Sequence, residues 1–561
     1  MRLFFFIGVA LTLLSFVPQL SAAATRAQRE SRIREILSTV LAPELLAATQ
    51  PDGKCGTRLG ETILDYWPRF SVAQQTELKI LMAPQALQNI RLIGRFEVHY
   101  DTTGDQAPAM LDLAGNRIPN SAEQYVDSVG RYFNLAYQIE VDSLKYDAPP
   151  VATGHLGYEV DVVEFGGNDY GLTAFIDQVN PGGVPARWTS YIEVDNDFRG
   201  YYSGGIAGLR VTSAHEFHHT IQFGSYGFWG QQYAWFHEIT STWMEDVVHT
   251  DVNDYYNYIR TPSMGPRGTF LHPEYSLSRS DMLIEYSRAI FGKFVEQRFS
   301  AAMMRRIWEE MKSTTVLPAM NRALADSGSS FQKAFLEWTN WNYHTGRRAD
   351  TVHFYREGRH YPEILERDST YFFSPSGFFR DSVQALGSAY HPVSVNGTAR
   401  FSAIVSNVNA SAAIFGTFNA FTYLMSESGD VSYKHLDSLI YVKLDVADPL
   451  NWKSQESVHA DEPILAAGDE AFVYPNPLFT PWPGGITFAF PSSTATTGHL
   501  LIISPAMHVV LDRDLPVVFD LNGRPSMVWY ADGDAPASGV YIYYASAGDK
   551  SYRGKLSIIR R

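Results

Sequence analysis

The chain has 561 residues, a formal net charge of −15, 45% hydrophobic residues and a single cysteine. Its length predicts several domains, and its apolar content is sufficient for packed cores, which excludes a largely disordered protein. The acidic balance without a basic block argues against nucleic acid as a partner, and a lone cysteine excludes an internal disulfide.

The first residues have the pattern of a secretory signal peptide, which we assign to residues 1–23. Arg2 supplies positive charge, an apolar run extends from Leu3 to about Val17, and small residues follow at 21–24. The alternative is a membrane anchor, but the run is short for a membrane span. We expect a mature chain without a transmembrane segment, secreted or held at the cell surface.

Residues 24–90 are predicted to form a helical, propeptide-like region, because REILSTVLAPELL and SVAQQTELKILM carry apolar residues at helical spacing. Residues 91–348 are predicted to form an α+β domain. Its first part alternates as strands do, in RLIGRFEVHYD, GYEVDVVEF and SYIEVDND. Helices are then predicted at 207–224, 232–249, 281–298, 301–312 and 330–343.

The remainder of the chain is predicted to consist of all-β sandwich modules. Residues 349–469 contain short alternating runs such as ARFSAIVSNV and SLIYVKLDV. Residues 470–561 contain ITFAFP, HLLIIS, MHVVLD, SMVWY, GVYIYYA and GKLSIIR between turn residues. Short strands at such spacing are typical of β-sandwiches.

The segment VTSAHEFHHTIQF carries the strongest chemical signal in the chain. His215 and His219 are four residues apart, so they share one face of a helix. Two neutral imidazoles held in this way suit tetrahedral zinc, and the adjacent Glu216 can act on a water molecule there as a general base. The alternative is that both histidines are core residues of an amphipathic helix.

A catalytic zinc needs a third protein ligand and an open position. Glu238, in AWFHEITSTWMEDVV, follows His219 after the eighteen residues 220–237, which allows two helices to pack together. Glu245 lies seven residues further along the same helical face, where it can accept the free N–H of a ligand histidine. We therefore predict that His215, His219 and Glu238 bind the metal.

Together these positions resemble the gluzincins, especially their aminopeptidase N-like branch. The longer stretch over residues 50–345 is similar to a family of secreted bacterial metalloproteases. The resemblance implies a zincin-like catalytic domain, bound Zn2+ and hydrolysis of a peptide or protein substrate. The chain lacks the G-x-M-E-N segment of aminopeptidases, whose nearest counterpart is SYIEVDND with Glu193 and Asp195. We therefore expect an endopeptidase.

The resemblance also suggests residues that support the chemistry. Gluzincins often use a Tyr or His on a later helix to stabilise the oxyanion, and Tyr286 in SDMLIEYSRAIFGKF is the candidate. A structural role for Tyr286 is the alternative. The strand SYIEVDND is expected to be the sheet edge that pairs with the substrate backbone.

Cys55, in GKCGTRLG, has two interpretations. It loosely resembles the cysteine switch of matrix metalloproteases, in which a propeptide thiolate occupies the open zinc position. The sequence favours the alternative, an inert buried cysteine. His218 and His237 are expected to pack or to support ligands. We expect turn and capping roles, rather than calcium binding, for the aspartates at 195, 197, 251 and 254.

The C-terminal residues resemble the sorting domain of the type IX secretion system. The opening YPNPL, the segment SGVYIYYA and the basic end GKLSIIRR carry this resemblance over residues 473–561. It implies the type IX machinery as a partner and passage through the outer membrane. The alternative is an ordinary adhesive or stabilising module.

Two other functions compete with a secreted zinc endopeptidase. One is a surface binding protein whose peptidase fold has lost activity, which the zinc content of the purified protein would test. The other is an aminopeptidase, which a substrate with a blocked N-terminus would test. The intact set of Glu216 and the three ligands favours an active peptidase.

Overall fold

The computed structural model of the protein forms two compact units. The first comprises residues up to 366 together with 381–390, and the second comprises 367–380 and 391 onward. The structure describes residues 26–47, 49, 54–167, 169–260, 268–280 and 283–367, and shorter stretches from 370 to 560. The predicted signal peptide, residues 1–23, lies outside the described residues. A multidomain chain with an α+β region followed by β structure, as the sequence predicts, is observed.

A five-stranded mixed sheet forms one layer of the first unit. Its strands are β1 (Asn89–Ile93), β2 (Phe96–Tyr100), β3 (Tyr158–Val163), β4 (Gly171–Gln178) and β5 (Trp188–Asp195). Their order is β1-β2-β3-β5-β4, with β2, β3 and β5 parallel and β1 and β4 antiparallel to their neighbours. The expectation that SYIEVDND forms the edge is therefore wrong, because β4 covers β5 on that side. The sequence GLTAFIDQ of β4 was not among the predicted strands.

Helices cover the apolar face of this sheet. The helices of the first unit are α1 (Arg26–Leu37), α2 (Pro43–Ala47), α3 (Thr57–Tyr66), α4 (Val72–Leu81), α5 (Ala122–Tyr137), α6 (Ile206–Ile221), α7 (Ala234–Val248), α8 (Tyr256–Arg260), α9 (Ile284–Ser287), α10 (Ala289–Arg298), α11 (Ala301–Met311), α12 (Val316–Ala325) and α13 (Phe331–Tyr343). Phe96 of β2 packs against Phe133 of α5 and Phe217 of α6, with ring centroids 5.2 and 5.5 Å apart. The sheet thus positions α6 through aromatic contacts.

The helical predictions differ from the structure in two respects. The segment predicted as 281–298 is divided into α9 and α10, and Leu283, before α9, has a positive φ of 75°. Besides the short α8, the helices α5 and α12 were not predicted. Both are amphipathic helices whose apolar faces are buried in the first unit.

The N-terminal helices form a small core of their own. Ile33, Leu37, Ile63, Leu78 and Leu81 of α1, α3 and α4 are buried together. Ser71 caps the N-terminus of α4 and forms a reciprocal capping box with Gln74, which satisfies backbone donors at that helix end. The region predicted as helical is therefore helical, and it belongs to the same compact unit as the five-stranded sheet.

The second unit consists of β-strands in its described residues. They are β6 (Thr370–Phe372), β7 (Val393–Val395), β8 (Ala399–Ser406), β9 (Ala420–Met425), β10 (Val431–Leu436), β11 (Leu439–Val446), β12 (Phe472–Tyr474), β13 (Leu478–Thr480), β14 (Ile486–Ala489), β15 (Thr497–Ile503), β16 (Val509–Phe519), β17 (Pro525–Trp529), β18 (Gly539–Ala547) and β19 (Lys550–Arg560). The last eight form one sheet in the order β12-β14-β17-β16-β15-β18-β19-β13.

Strand β16 joins the two halves of this eight-stranded sheet. It pairs with β15 as far as Pro516 and with β17 from Val517 onward. Apolar side chains from both halves, including Phe488, Leu500 and Tyr543, share one core. The strands predicted from residue 486 onward correspond to β14–β19. None of the helices in the described stretches combines the length and apolar character that crossing a membrane requires.

Candidate metal centre

Two packed helices, α6 and α7, carry the candidate metal ligands. Because His215 and His219 are one helical turn apart on α6, both rings point toward α7. Their Nε2 atoms are 3.2 Å apart. Glu238 of α7 places Oε2 3.1 Å from His215 Nε2 and Oε1 3.5 Å from His219 Nε2. All three side chains are buried. These distances show that the structure brings the three predicted ligands to one point.

The second ring nitrogen of each histidine has its own protein partner. Glu245 Oε1 lies 2.7 Å from His215 Nδ1, which is the contact that the seven-residue spacing predicts. Gln222 Oε1 lies 2.8 Å from His219 Nδ1. The Gln222 amide is oriented by its NH2 group, which donates to the His237 carbonyl at 3.0 Å. Each Nδ1 therefore donates to its own partner, which leaves the two Nε2 atoms directed at the same point.

The electrostatics of this point favour a positive charge. Burial lowers the pKa of His215, but Glu238 and Glu245 outweigh that effect and raise it to about 10. Glu238 Oε1 accepts no hydrogen bond among the described residues, although its side chain is only 3% exposed. Two imidazole nitrogens and a carboxylate with spare acceptor capacity fit a divalent cation.

Cys55 is the fourth group at this point. Its Sγ lies 3.6 Å from His219 Nε2, and the ligand atoms of Cys55, His215, His219 and Glu238 lie within 4.8 Å of one another. The thiol is buried, as the favoured interpretation expected, but its position is that of a metal ligand. Burial, followed by Glu216 and Glu238, raises the pKa of this thiol.

The residues around Cys55 pair with the edge strand β4. Tyr170 N donates to Lys54 O at 2.8 Å, and Gly56 N donates to Gly171 O at 2.9 Å. Cys55 and Gly171 form a parallel β-bridge. The segment 54–57 therefore occupies the backbone groups through which an extended peptide could add to the sheet.

Lys54 anchors this segment beside the metal centre. Its ammonium group lies 2.9 Å from Glu245 and 2.7 Å from Asp254, and the side chain is 1% exposed. Glu245 therefore links Lys54 to His215. The sequence analysis did not identify Lys54, because nothing in the pattern around it indicates that it approaches residues about 190 and 200 positions away.

Glu216 projects from α6 toward β4 and the segment 54–57. Its Oε2 lies 2.9 Å from Thr173 Oγ1 and 3.3 Å from Thr57 Oγ1. Thr57 also accepts the backbone N–H of Thr173 at 2.8 Å and lies 3.1 Å from Cys55 Sγ. Both threonines were missed in the sequence, where isolated threonines give no functional signal.

Gly171 allows β4 to approach α6 closely. A Cβ at this position would lie 2.8 Å from Glu193 O, 2.8 Å from Thr212 Cγ2 and 3.1 Å from Glu216 Cγ. These distances leave no room for a side chain. The glycine thus permits the contact between the edge strand and the helix that carries Glu216.

The other predicted residues surround the cluster. The ring of Tyr286 is buried 6.3 Å from that of His215 and packs with Cys55 and Tyr258. His218 and His237 point away from the ligands, as expected. His218 Nδ1 lies 2.7 Å from Glu140, and His237 Nδ1 lies 2.5 Å from Glu61.

The carboxylates of the SYIEVDND segment have structural partners. Glu193 lies 2.6 Å from the Arg26 guanidinium group. Asp195 accepts the backbone N–H groups of Asp197 and Phe165 at 3.0 and 3.1 Å, in the turn role that the sequence analysis expected. Among the four aspartates considered, Asp251 pairs with Arg210 and Asp254 pairs with Lys54.

Comparisons with known proteins give no further assignment. No model of a protein family matches the chain, and no curated protein is significantly similar to it.

Proposed function

We propose that the protein is a zinc-dependent metallopeptidase with a zincin-like catalytic domain that hydrolyses peptide bonds. The proposal rests on the convergence of His215, His219 and Glu238. A further carboxylate, Glu216, lies on the same helix as the two histidines and is held by Thr173. A buried set of two lone-pair imidazoles and a carboxylate has little structural use without a cation, because unpaired buried polar groups are costly.

The proposed roles follow from chemistry at these atoms. Zinc, when bound, polarises the scissile carbonyl and makes a water molecule more acidic. Glu216 accepts the proton of the attacking water and later delivers it to the leaving amine. Thr173 holds the Glu216 carboxylate in place, and Glu245 fixes the tautomer of His215. Tyr286, beside His215, is the candidate donor to the oxyanion.

The same geometry supports a latent form of the enzyme. Cys55 lies with the three predicted ligands and would take up a coordination position that a substrate or water needs, and residues 54–57 occupy the edge of β4. Thr57 also contacts the general base. Activation therefore requires displacement or proteolytic removal of this segment, which the N-terminal helical region carries.

Endopeptidase activity, rather than aminopeptidase activity, remains the reaction that we propose. The two carboxylates considered as a substitute for the aminopeptidase segment, Glu193 and Asp195, are buried and already paired with Arg26 and backbone amides. A catalytically inactive surface binding protein is the second candidate from the sequence. The buried Glu216, with its dedicated threonine partner, favours an active enzyme instead.

The sequence supports export as part of the proposal. The predicted signal peptide directs passage through the inner membrane, and the C-terminal resemblance implies the type IX machinery at the outer membrane. The expected location is therefore the cell surface or the medium, where a peptide or protein substrate is met.

Glu216→Gln tests the proposed function directly. The variant keeps the shape of the side chain and all metal ligands but lacks the base. In the form from which residues 24–57 have been removed, we expect hydrolysis of a blocked peptide to fall about a hundredfold or more. Zinc content should stay unchanged, and chelation should abolish wild-type activity until zinc is restored. Full activity of Glu216→Gln, or activity after exhaustive chelation, would contradict the proposal.

A further inference from the structure

A second group of metal-ligating side chains lies on the sheet, apart from the first. It consists of Glu97 and His99 on β2, Glu159 and Asp161 on β3, and His155 in the loop before β3. The parallel register pairs Glu97 with Glu159 and His99 with Asp161, so these four side chains share one face of the sheet. We call these five residues the sheet cluster.

The sheet cluster lies on the opposite face from the candidate catalytic helix. Phe96 and Tyr158, which directly precede Glu97 and Glu159, point to the other face, where both rings contact Phe217 of α6. Alternation along the strands therefore separates the sheet cluster from His215 and His219. The two groups of potential ligands are distinct.

The distances within the sheet cluster are those of groups that converge on two neighbouring points, with His99 between them. His99 Nδ1 lies 3.1 Å from Glu159 Oε1 and 3.4 Å from Asp161 Oδ1. His155 Nδ1 lies 2.9 Å from Glu97 Oε2, and His155 Nε2 lies 3.6 Å from Glu159 Oε2. Two sets of three, Glu97–His99–His155 and His99–Glu159–Asp161, share His99, and within each the ligand atoms lie within 4.8 Å of one another.

Buried atoms in the sheet cluster lack hydrogen-bond partners. His99 is 9% exposed and Glu159 is 5% exposed, yet His99 Nε2 and Glu159 Oε2 form no hydrogen bond among the described residues. Asp161 is completely buried. The guanidinium group of Arg29, which reaches this face of the sheet, lies 3.5 Å from Glu193.

The charge of the sheet cluster requires compensation. Three carboxylates and two imidazoles lie together in the sheet cluster, and buried carboxylates held this close are unfavourable unless protons or a cation neutralise them. A mixed imidazole and carboxylate set is the donor set of Zn2+, Mn2+ and Fe2+ sites, whereas calcium and magnesium prefer oxygen alone. The His155 side chain is 27% exposed, so the sheet cluster reaches solvent at this residue.

We propose that the sheet cluster is a second binding site for a divalent transition-metal ion, with His99 as the shared ligand. An ion in either set joins β2 to a neighbouring segment, which is β3 in one set and the loop that carries His155 in the other, so its role is structural. It lacks a thiol, which distinguishes it spectroscopically from the site that contains Cys55.

Metal stoichiometry of the full mature chain tests this second site. The protein is stripped with a chelator, dialysed against excess Zn2+, washed and analysed for bound metal. We expect two equivalents in the wild type and one in His99→Ala. Glu238→Ala should also hold one, and the combined variant none. Equal metal content in His99→Ala and the wild type would overturn the proposal.

The same experiment separates failure of this proposal from failure of the proposed function. If only the sheet cluster binds metal, the wild type holds one equivalent that Glu238→Ala retains. If only the catalytic site binds, the single equivalent is lost in Glu238→Ala, and the second site is refuted.

A milder variant covers the case in which His99→Ala does not fold. His155→Ala changes a side chain that is 27% exposed, and it should weaken binding of Zn2+ to the Glu238→Ala background by about tenfold or more. The matched control is His353→Ala, because the His353 side chain is 74% exposed and lies outside the sheet cluster. Unchanged affinity in His155→Ala would refute the site.

Discussion

The two histidines predicted to bind the metal differ in the partner of their second ring nitrogen, Nδ1. His215 Nδ1 contacts the carboxylate of Glu245, whereas His219 Nδ1 contacts the amide oxygen of Gln222 and lies 3.2 Å from Ser241 Oγ. A carboxylate partner raises the basicity of its imidazole more than an amide does. A bound metal would therefore have one stronger and one weaker histidine ligand, and Glu238 would supply compensating charge.

Substitutions at the two glutamates should separate a ligand from its supporting residue. Glu238→Ala removes a ligand and should reduce zinc affinity by far more than tenfold. Glu245→Gln keeps a hydrogen-bond acceptor at His215 but loses the charge, so affinity should fall by about tenfold. Competitive titration with a zinc-binding dye measures both. If Glu238→Ala bound zinc as tightly as the wild type, another residue would be the third ligand.

His249, at the end of α7, should contribute to the pH dependence of stability. Burial and the neighbouring Arg210 lower the pKa of His249 to about 4, below its ordinary value of about 6.5. The neutral ring therefore stabilises the folded state above pH 6.5, and this contribution, up to about 3 kcal/mol, is lost as the pH falls toward 4. Urea unfolding of metal-free protein at several pH values measures it.

The variant His249→Gln is neutral at every pH and keeps an acceptor for Arg210. Its free energy of unfolding should therefore fall less between pH 7 and pH 4 than that of the wild type. Equal losses in both proteins would show that His249 does not titrate in this range.

At the scale of elements, the contact between α7 and α10 fixes the position of Glu238. A Cβ on Gly292 of α10 would lie 2.6 Å from both Cβ and Cγ of Trp243 on α7. Gly292→Ala should therefore displace α7, lower the free energy of unfolding by about 1–3 kcal/mol and weaken zinc binding. The control Gly539→Ala, with 3.7 Å to its nearest neighbour, should have little effect. Unfolding titrations that do not distinguish the two variants would exclude this packing constraint.

The pairing of residues 54–57 with β4 should keep the uncleaved enzyme inactive. Cys55→Ser removes the thiol and should raise peptidase activity of the uncleaved chain by about tenfold or more. The reason is that a loss of about 1.4 kcal/mol in the free energy that holds residues 54–57 in place lowers the ratio of closed to open chains tenfold. The thiolate absorption of the cobalt-substituted protein should disappear as well. The control Thr76→Ala, on the exposed face of α4, should change neither. Equal activity of Cys55→Ser and wild type would make the cysteine structural.

At the scale of the whole molecule, the candidate metal ligands and the C-terminal strands belong to different compact units. All residues of the candidate metal centre lie in the first unit, which ends at residue 390, and the eight-stranded sheet has its own apolar core. The eight-stranded sheet therefore buries apolar side chains of its own, as a domain that folds independently does.

A chain that ends at Gly468 should separate folding from export. Made in a foreign host, it should bind metal and, after removal of the N-terminal segment, cleave peptides as the full chain does. In the native cell it should cross the inner membrane and stop in the periplasm, because the sequence that resembles a sorting domain is missing. Fractionation and melting temperature of the same protein measure both effects. Normal appearance in the medium, together with a lower melting temperature, would indicate a stabilising module instead.

Local patterns in the sequence determined those features that depend on neighbouring residues. The four-residue spacing places His215 and His219 on one helical face whatever the rest of the fold does. Alternation predicts β14–β19, because each strand buries one face against its own core. The spacing to Glu238 and Glu245 was interpretable because it resembles a known family.

Only the tertiary structure decided which distant segments meet. Strand order makes β4 rather than β5 the edge, and periodicity within a strand contains no information about order. Cys55 reaches His219 across 164 residues because residues 54–57 pair with that edge. The sheet cluster exists because β2 and β3 are parallel and in register, which places His99 beside Asp161. Such contacts arise from long-range pairing and burial, which the local sequence pattern does not encode.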